Sequence, residues 1–571
     1  MRYHFFVLIS IFSILLFSCG SEETKQKNAI GGKLYGGEFK FMSSEKVVNL
    51  FPLSSVDIYA QRLNSQIYQP LLTLDLQSMV VVPSIAESYV VSEDAKTFTF
   101  KIRKGIKFQN DDCFNGKGRA LTVEDVKYTL EMACSGLKIN KMSYLLVNRI
   151  EGARNFYSNS KNSLPKSGVS GIRIVNDSTL EIKLNESFIG FDKVLTHTNL
   201  GIFPHEAYEK YGRNIAKHPV GTGPFMLEKM DASGVILKRN DNFWKKDEFG
   251  NQLPFLDRVI MIYAKDKKSE LLAFRTKAID LVLEIPVEEI ENILGSLQDA
   301  QAGKNVKHKV ESKSSMGMNY VAFACQSIEF KNPNVRKAFN LAIDRNEIVE
   351  KWLLGEGWAA QNGFVPKLDN YPNEKINGDR LNVSKAKALL VKAGYPEGKG
   401  FPVLDFYVNA IEGSAPHKMC KGVAAQIKQN LGIDLKIKLC TFEERERAIL
   451  SGKAKIWRSG WIADYPDAEN FLSLFYSGSI KDNATSVNAF KFHDKAYDAL
   501  FEKAIKELDE TKRNALFANC DQMIVDEAAV MPIMTDDFMV MINARIRDFQ
   551  TNSMENLDFS AIYIKEPRKK N

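Results

Sequence analysis

Hydrophobic positions along this chain repeat with two periods, and the two alternate from end to end. "TFTFKIRKG" sets Phe98, Phe100 and Ile102 against polar neighbours, the period-two pattern of a half-buried strand. "STLEIKL" repeats it at Leu180, Ile182 and Leu184, and "GIDLKIKL" at Ile433, Leu435, Ile437 and Leu439. Between such runs the period lengthens to that of a helix. "LTVEDVKYTLEMA" offers Thr122 as N-cap, acids in the first turn, and Val123, Val126 and Leu130 on one face. "NVRKAFNLAIDRNEIV" puts Val335, Ala338, Phe339, Ala342 and Ile343 on one stripe. "SKAKALLVKAGYP" predicts a short helix capped by Ser384, with a stripe of Ala386, Leu389, Leu390 and Ala393, stopped by Gly394 before Pro396. "YDALFEKAIKEL" is helical again through Tyr497, Leu500, Phe501, Ala504, Ile505 and Leu508. The pattern predicts a mixed α/β chain without short internal repeats. At 571 residues it is too long for one ordinary core, so two or three lobes are expected.

Composition narrows the class. The chain is 44% hydrophobic and 26% charged, which fits a globular protein. Its net charge of +7, from 77 basic and 70 acidic residues, is thin and spread out, which argues against nucleic acid as a partner. The basic end "KEPRKKN" reads as a solvated C-terminus.

The N-terminus "MRYHFFVLISIFSILLFSCG" changes the picture more. Arg2 precedes an apolar stretch from Phe5 to Phe17, too short to span a bilayer comfortably but suited to a signal peptide over 1–18. Leu16-Phe17-Ser18-Cys19 resembles the lipobox of bacterial lipoproteins, which implies cleavage before Cys19 and acylation of that cysteine. "SEETKQKNAIGG" then reads as a tether, so 19–32 is the lipidated N-terminus and the remainder lies outside the cytoplasm. Six further cysteines (113, 134, 325, 420, 440, 520) show no CxxC or zinc spacing. Cys113 and Cys134 are near enough in sequence to close a loop, and buried free thiols are the alternative for the others.

Chemistry of an enzyme is not visible: there is no GxSxG, HExxH or Walker pattern. The seven histidines are isolated, which predicts surface positions for most of them and no metal. "GTGPF" (221–225) reads as a structural turn whose glycines permit positive φ, and "NDDCFNGKGR" as a surface loop.

Seven segments carry a resemblance. "PSIAESYVVSEDAKTFTFKIRKGIKF", "LTVEDVKYTL", "HPVGTGPFML", "RNDNFWKK", "NPNVRKAFNLAIDRNEIV", "SKAKALLVKAGYPEGKGF" and "SGWIADYPDAENFL" occur in this order from about residue 33 to 545. Together they resemble the family 5 extracytoplasmic solute-binding proteins of peptide-type ABC importers. The resemblance implies an α/β, two-lobed periplasmic-binding-protein-like fold (class II, cluster C) with an extra subdomain on lobe I. It implies lobe I at 33–75, 196–312 and 530–571, the subdomain at 76–195, and lobe II at 313–529. The crossings would fall near "SSMGMNYVAFA" and "AAVMPIMTDDFMV". It further implies a monomer without cofactor that delivers a peptide to a membrane permease and its ATPase subunits, anchored to a bacterial membrane through Cys19. Non-peptide cargo (a nickel complex, haem or an oligosaccharide) and a surface chaperone or adhesin are the alternatives.

"SGWIADYPDAENFL" poses the sharpest question. Asp464, Asp467 and Glu469 stand among Trp461, Ile462, Tyr465, Phe471 and Leu472, and unpaired carboxylates resist such company. The resemblance implies that Asp464 meets the ligand's α-ammonium group, with Trp461 and Tyr465 as pocket walls. It also implies that Arg458, three residues before the tryptophan, can meet a ligand carboxylate. The competing role for Asp464 is a helix cap, for which Asp467 is the better candidate, and for Arg458 an ordinary ion pair.

Overall fold

The structure is a computed structural model that describes residues 26–43, 45–283, 285, 309–479 and 487–566. Cys19 and the signal stretch lie outside these residues. Two large sheets organise the described chain. One has seven strands in the order Phe225–Asp231, Gly234–Arg239, Arg258–Tyr263, Glu38–Ser43, Leu281–Leu283, Asp537–Ile542, Lys309–Ser314. The other has six, in the order Trp358–Ala359, Val530–Thr535, Gly317–Phe323, Ile456–Ile462, Leu404–Asn409, Leu435–Cys440. Each sheet is covered by its own hydrophobic core, which makes two lobes.

The chain passes from the first sheet to the second between Ser314 and Gly317, and returns between Thr535 and Asp537. The return therefore follows Val530–Thr535 instead of preceding it at 529/530, because that strand pairs with Gly317–Phe323 in the second sheet. Ser315 N–H donates to Asp536 C=O (2.9 Å), so the two crossings are joined side by side. Two adjacent covalent links of this kind leave bending as the easy relative motion of the lobes.

A four-stranded sheet of Ala86–Val91, Thr97–Ile102, Thr179–Lys183 and Ile172–Asn176 extends the first lobe. The period-two residues Phe98, Phe100, Leu180 and Ile182 all face its core with no exposed surface. Helix Val123–Ala133 packs on it, with Asp125 accepting from Thr122 N–H (2.9 Å). Leu435–Cys440 is an edge strand, so Leu439 stays 37% exposed despite its place in the alternation. No described helix is long and apolar enough to cross a membrane.

Several local expectations are corrected. The helix Val383–Lys392 is capped by Asn382, which accepts Lys385 N–H (3.0 Å), and Ser384 lies inside it. The stripe from Val335 to Ile343 does not belong to one helix. Pro333–Leu341 ends, and Asp344 caps a new turn by accepting Glu347 N–H (3.1 Å). Gly221 and Gly223 are needed for close approach and not for positive φ: an added Cβ would lie 2.0 Å from Ile67 O and 2.5 Å from Gln66 O. Cys113 and Cys134 are free, as are the other four described cysteines. Cys134 is enclosed by core at a helix end, whereas Cys113 sits half-buried in the turn Asp112–Phe114, its N–H bonded to Asp111.

Candidate functional site at the lobe junction

Strand Ile456–Ile462 lies beside Gly317–Phe323, and Ala463 N–H donates to Met316 C=O (2.9 Å). The chain thus leaves the second sheet next to the first crossing, and Asp464 is the next residue. Asp464 N–H donates to Asn470 Oδ1 (3.0 Å), which also accepts Trp461 Nε1–H (2.8 Å). Asn470 rides on helix Ala468–Leu472, whose cap is Asp467, accepting Glu469 N–H (3.0 Å). Phe471 seats this helix against Phe364 in the second core, ring centroids 6.3 Å apart.

The first lobe supplies the rest. Tyr144 O–H donates to Asp464 Oδ2 (2.9 Å), and His197 Nε2 stands 3.2 Å from Oδ1. His197 Nδ1 accepts Asn199 N–H (2.9 Å), so the neutral ring carries its proton on Nε2 and donates it to Asp464. Burial first, then the Asp464 charge, pushes the Tyr144 phenol well above its ordinary pKa, which keeps that hydroxyl a donor. Asn470 Nδ2 approaches Oδ2 from the other side (3.4 Å). Among the described residues the donors to Asp464 are therefore all neutral.

Its two neighbours are treated differently. Asp467 receives both terminal nitrogens of Arg513 (2.9 and 2.7 Å) and Lys193 Nζ from the first lobe (3.2 Å). Burial would raise its carboxyl, but Arg513 and then Lys193 hold it well below the usual carboxylate range. Glu469 accepts Arg149 Nη2 (2.7 Å), again from the first lobe, and the Tyr465 hydroxyl. Burial opposes the Arg149 charge, yet Glu469, together with Tyr465 and Tyr144, outweighs it and the guanidinium pKa is raised. Both arginines also lie 5.5 Å from the Phe188 ring centre. Exposure separates the acids in the same way: the Asp464 side chain is 13% exposed, those of Asp467 and Glu469 1% and 2%.

Of the residues proposed from sequence, Asp464 and Trp461 are brought together through Asn470. Tyr465 does not line open space. It is buried in the core of the first lobe, as a plug across the junction, with its hydroxyl on Glu469 and Arg149 Nη2 (3.2 Å). Arg458 is bonded to none of these residues; its Nη2 donates to Asn319 Oδ1 (2.5 Å), and its Nε has no partner among the described residues. Burial lowers its guanidinium pKa. Asn319 in turn donates to Asp536 at the return crossing (2.5 Å). Tyr144, Arg149, Lys193 and His197 were not visible as site residues, and His197 is buried, where surface positions were expected for most of the histidines.

Asp125, His205 and Glu206 lie near enough to share an ion, but Arg119 already holds the two carboxylates through bonds of 2.6 to 2.7 Å. That cluster is an ion-pair network fastening helix Val123–Ala133 to helix His205–Tyr211.

Residues 80–483 match the family described as bacterial extracellular solute-binding proteins, family 5 middle. The chain belongs to that family. Curated relatives include a glutathione-binding protein of Salmonella typhimurium, 26% identical over 85% of this chain and 86% of the relative. Heme-binding protein A of Haemophilus influenzae is also 26% identical, over 85% and 84%. Among solved structures, the periplasmic binding protein DppA of Helicobacter pylori, in complex with the peptide STSA, superposes with a TM-score of 0.78. It shares 22% identity, covering 93% of this chain and 99% of that one. The Haemophilus influenzae OppA complex with RPPGFSPFR gives 0.77 at 20% identity over the same shares. These likenesses establish the two-lobed fold of this family member.

Proposed function

We propose that this family member is the lipid-anchored, extracytoplasmic substrate-binding component of an ABC importer. It captures peptides between its lobes as a monomer and passes them to a membrane permease served by separate ATPase subunits. One observation carries the cargo class. Of the three acids in 459–472, Asp467 and Glu469 are each matched by basic side chains of the protein, whereas Asp464 has neutral donors only among the described residues. A carboxylate drawn from water without a matching cation is costly, and an ammonium group arriving there forms a strong charge-assisted hydrogen bond.

Binding then works by population shift. An ammonium on Asp464 adds to bonds that already join the lobes, so ligand favours the closed form that a permease would recognise. Trp461 shields the pair from water, and Arg458, enclosed with a free Nε, offers a planar fork to a carboxylate on the same ligand. Relatives named for glutathione and haem supply a second reading. A glutathione-like ligand would use the same ammonium contact, whereas haem would leave Asp464 without its counter-charge.

The test is mass spectrometry of ligands released by denaturing the purified protein. Peptides or glutathione-like compounds with free amino termini are expected. Recovery of haem, a metal chelate or a glycan alone would overturn the peptide assignment.

A further inference from the structure

The face from which the chain leads back towards Cys19 carries features that binding does not use. Strand Lys27–Asn28 pairs with Leu34–Tyr35, and the last described strand, Tyr563–Ile564, lies against them: Gln26 Nε2 donates to Ile564 O (3.0 Å) and Lys565 Nζ to Gly32 O (3.1 Å). Both ends of the described chain therefore meet on one surface. The turn 247–251 joins them, since Ile30 N–H donates to Asn251 Oδ1 (2.9 Å).

Two apolar side chains stand out of this surface beside each other in the network. Ile30 is 65% exposed and Phe249 45%. Phe249 is held at the tip of a built turn: Asp247 Oδ1 accepts the N–H groups of Phe249 (3.0 Å) and Asn251 (2.8 Å). Its ring lies over Gly31, where an added Cβ would come within 2.6 Å of it. Lys27 on the first strand, Lys246 beside the turn through its bridge to Gln252, and Lys565 on Gly32 O are all exposed on the same elements. The acids of the same region, Asp247, Glu248 and Asp548, converge on Lys33 Nζ (3.5, 3.0 and 3.1 Å), which balances one of their three charges; with Lys27, Lys246 and Lys565 the region holds four lysines to three acids. Three more basic residues follow in sequence at 568–570.

Tether length names the occupant. Residues 20–25 separate Cys19 from Gln26, a reach of at most about 25 Å for a fully extended chain. A folded body of this size has a radius of gyration of about the same value. A chain so short cannot let the protein turn over, so the face bearing Gln26 stays on the bilayer side. An exposed apolar pair with lysines on the same elements is the make-up of an interfacial membrane contact.

We infer that Ile30 and Phe249, with Lys27, Lys246 and Lys565, form a docking surface for the headgroup region of an anionic bilayer, and so fix the orientation of the cleft above the membrane. This rests on acylation of Cys19, and the experiment separates the two claims. The full-length lipoprotein is placed in vesicles of phosphatidylethanolamine and phosphatidylglycerol that carry a photoactivatable phospholipid. Mass spectrometry then reads the Cys19 peptide and the cross-linked peptides from one sample. Cross-links are expected to concentrate on 27–33 and 245–252, and to fall about fivefold in Ile30→Ser/Phe249→Ser. Replacing phosphatidylglycerol by phosphatidylcholine should also weaken them. Acylated Cys19 with cross-links spread over other faces, or with this turn covered only when permease is added, overturns the docking surface alone. An unacylated Cys19 overturns the tether reading and the orientation drawn from it.

Discussion

Two ends of one short segment are built on opposite electrostatic plans. At 467–469 the protein brings its own cations, Arg513 from the second lobe with Lys193 and Arg149 from the first, and seals the pairs from water. At 464 it brings only a phenol, a neutral imidazole and an amide, and leaves the carboxylate partly open. The difference teaches how to separate a structural acid from a binding acid in the same apolar run. A structural acid has its countercharge in the sequence; a binding acid waits for one.

The largest expected effect lies at the structural end. Arg513→Met leaves Asp467 buried with only Lys193, and breaking such a pair costs about 3–5 kcal/mol. Thermal unfolding should shift strongly downward, and an unchanged melting temperature would contradict the assignment. Asp464→Asn keeps the shape and removes the charge. Peptide affinity should fall about a hundredfold, about 3 kcal/mol, with a melting temperature near that of the parent, read by calorimetry on ligand-stripped protein. If stability fell and affinity did not, Asp464 would belong with its neighbours.

A third acid sharpens the comparison. Asp521 also has neutral donors only among the described residues, Phe364 N–H (2.7 Å), Val365 N–H (3.1 Å) and Tyr371 O–H (3.2 Å), but it is wholly buried in the second lobe. Burial raises its carboxyl to about 7, more than these donors lower it. A raised folded-state pKa means the stabilising form is the protonated one. Its contribution is complete below the ordinary carboxylate value of about 4 and is lost as pH rises to about 7. Asp467 runs the other way, contributing above about pH 4 and losing that contribution as pH falls. Unfolding followed against pH should show the Asp521 slope in the parent and not in Asp521→Asn.

The smallest effect belongs to Lys193→Met. It weakens one interlobe contact, worth about 1 kcal/mol at its partly exposed position, and Asp467 keeps Arg513. Small-angle scattering of the ligand-free protein should show a modest shift towards open forms, larger at low salt than at high salt.

What the sequence made legible follows from range. Phe98, Phe100, Leu180 and Ile182 declare their face by local alternation, and Asp467 announces itself as a cap from the residues just after it. The helix broken at Asp344 and the cap at Asn382 escaped because a capping side chain competes locally with hydrophobic period, and the period alone cannot say which wins. Tyr144 and His197 lie 320 and 267 residues from Asp464 in sequence, so no local pattern could place them on it. Tyr465 misled for a related reason: its burial is completed by the other lobe's core. His197 carried no signal beyond being a histidine.

The central claim is tested most directly by masking the ligand's amino terminus. A peptide released from the purified protein, and the same peptide N-acetylated, are titrated into stripped protein by calorimetry. Loss of binding by about a hundredfold or more on acetylation, with the two forms equal in Asp464→Asn, is the predicted result. Equal affinity of the free and acetylated peptides for the parent protein would contradict the account.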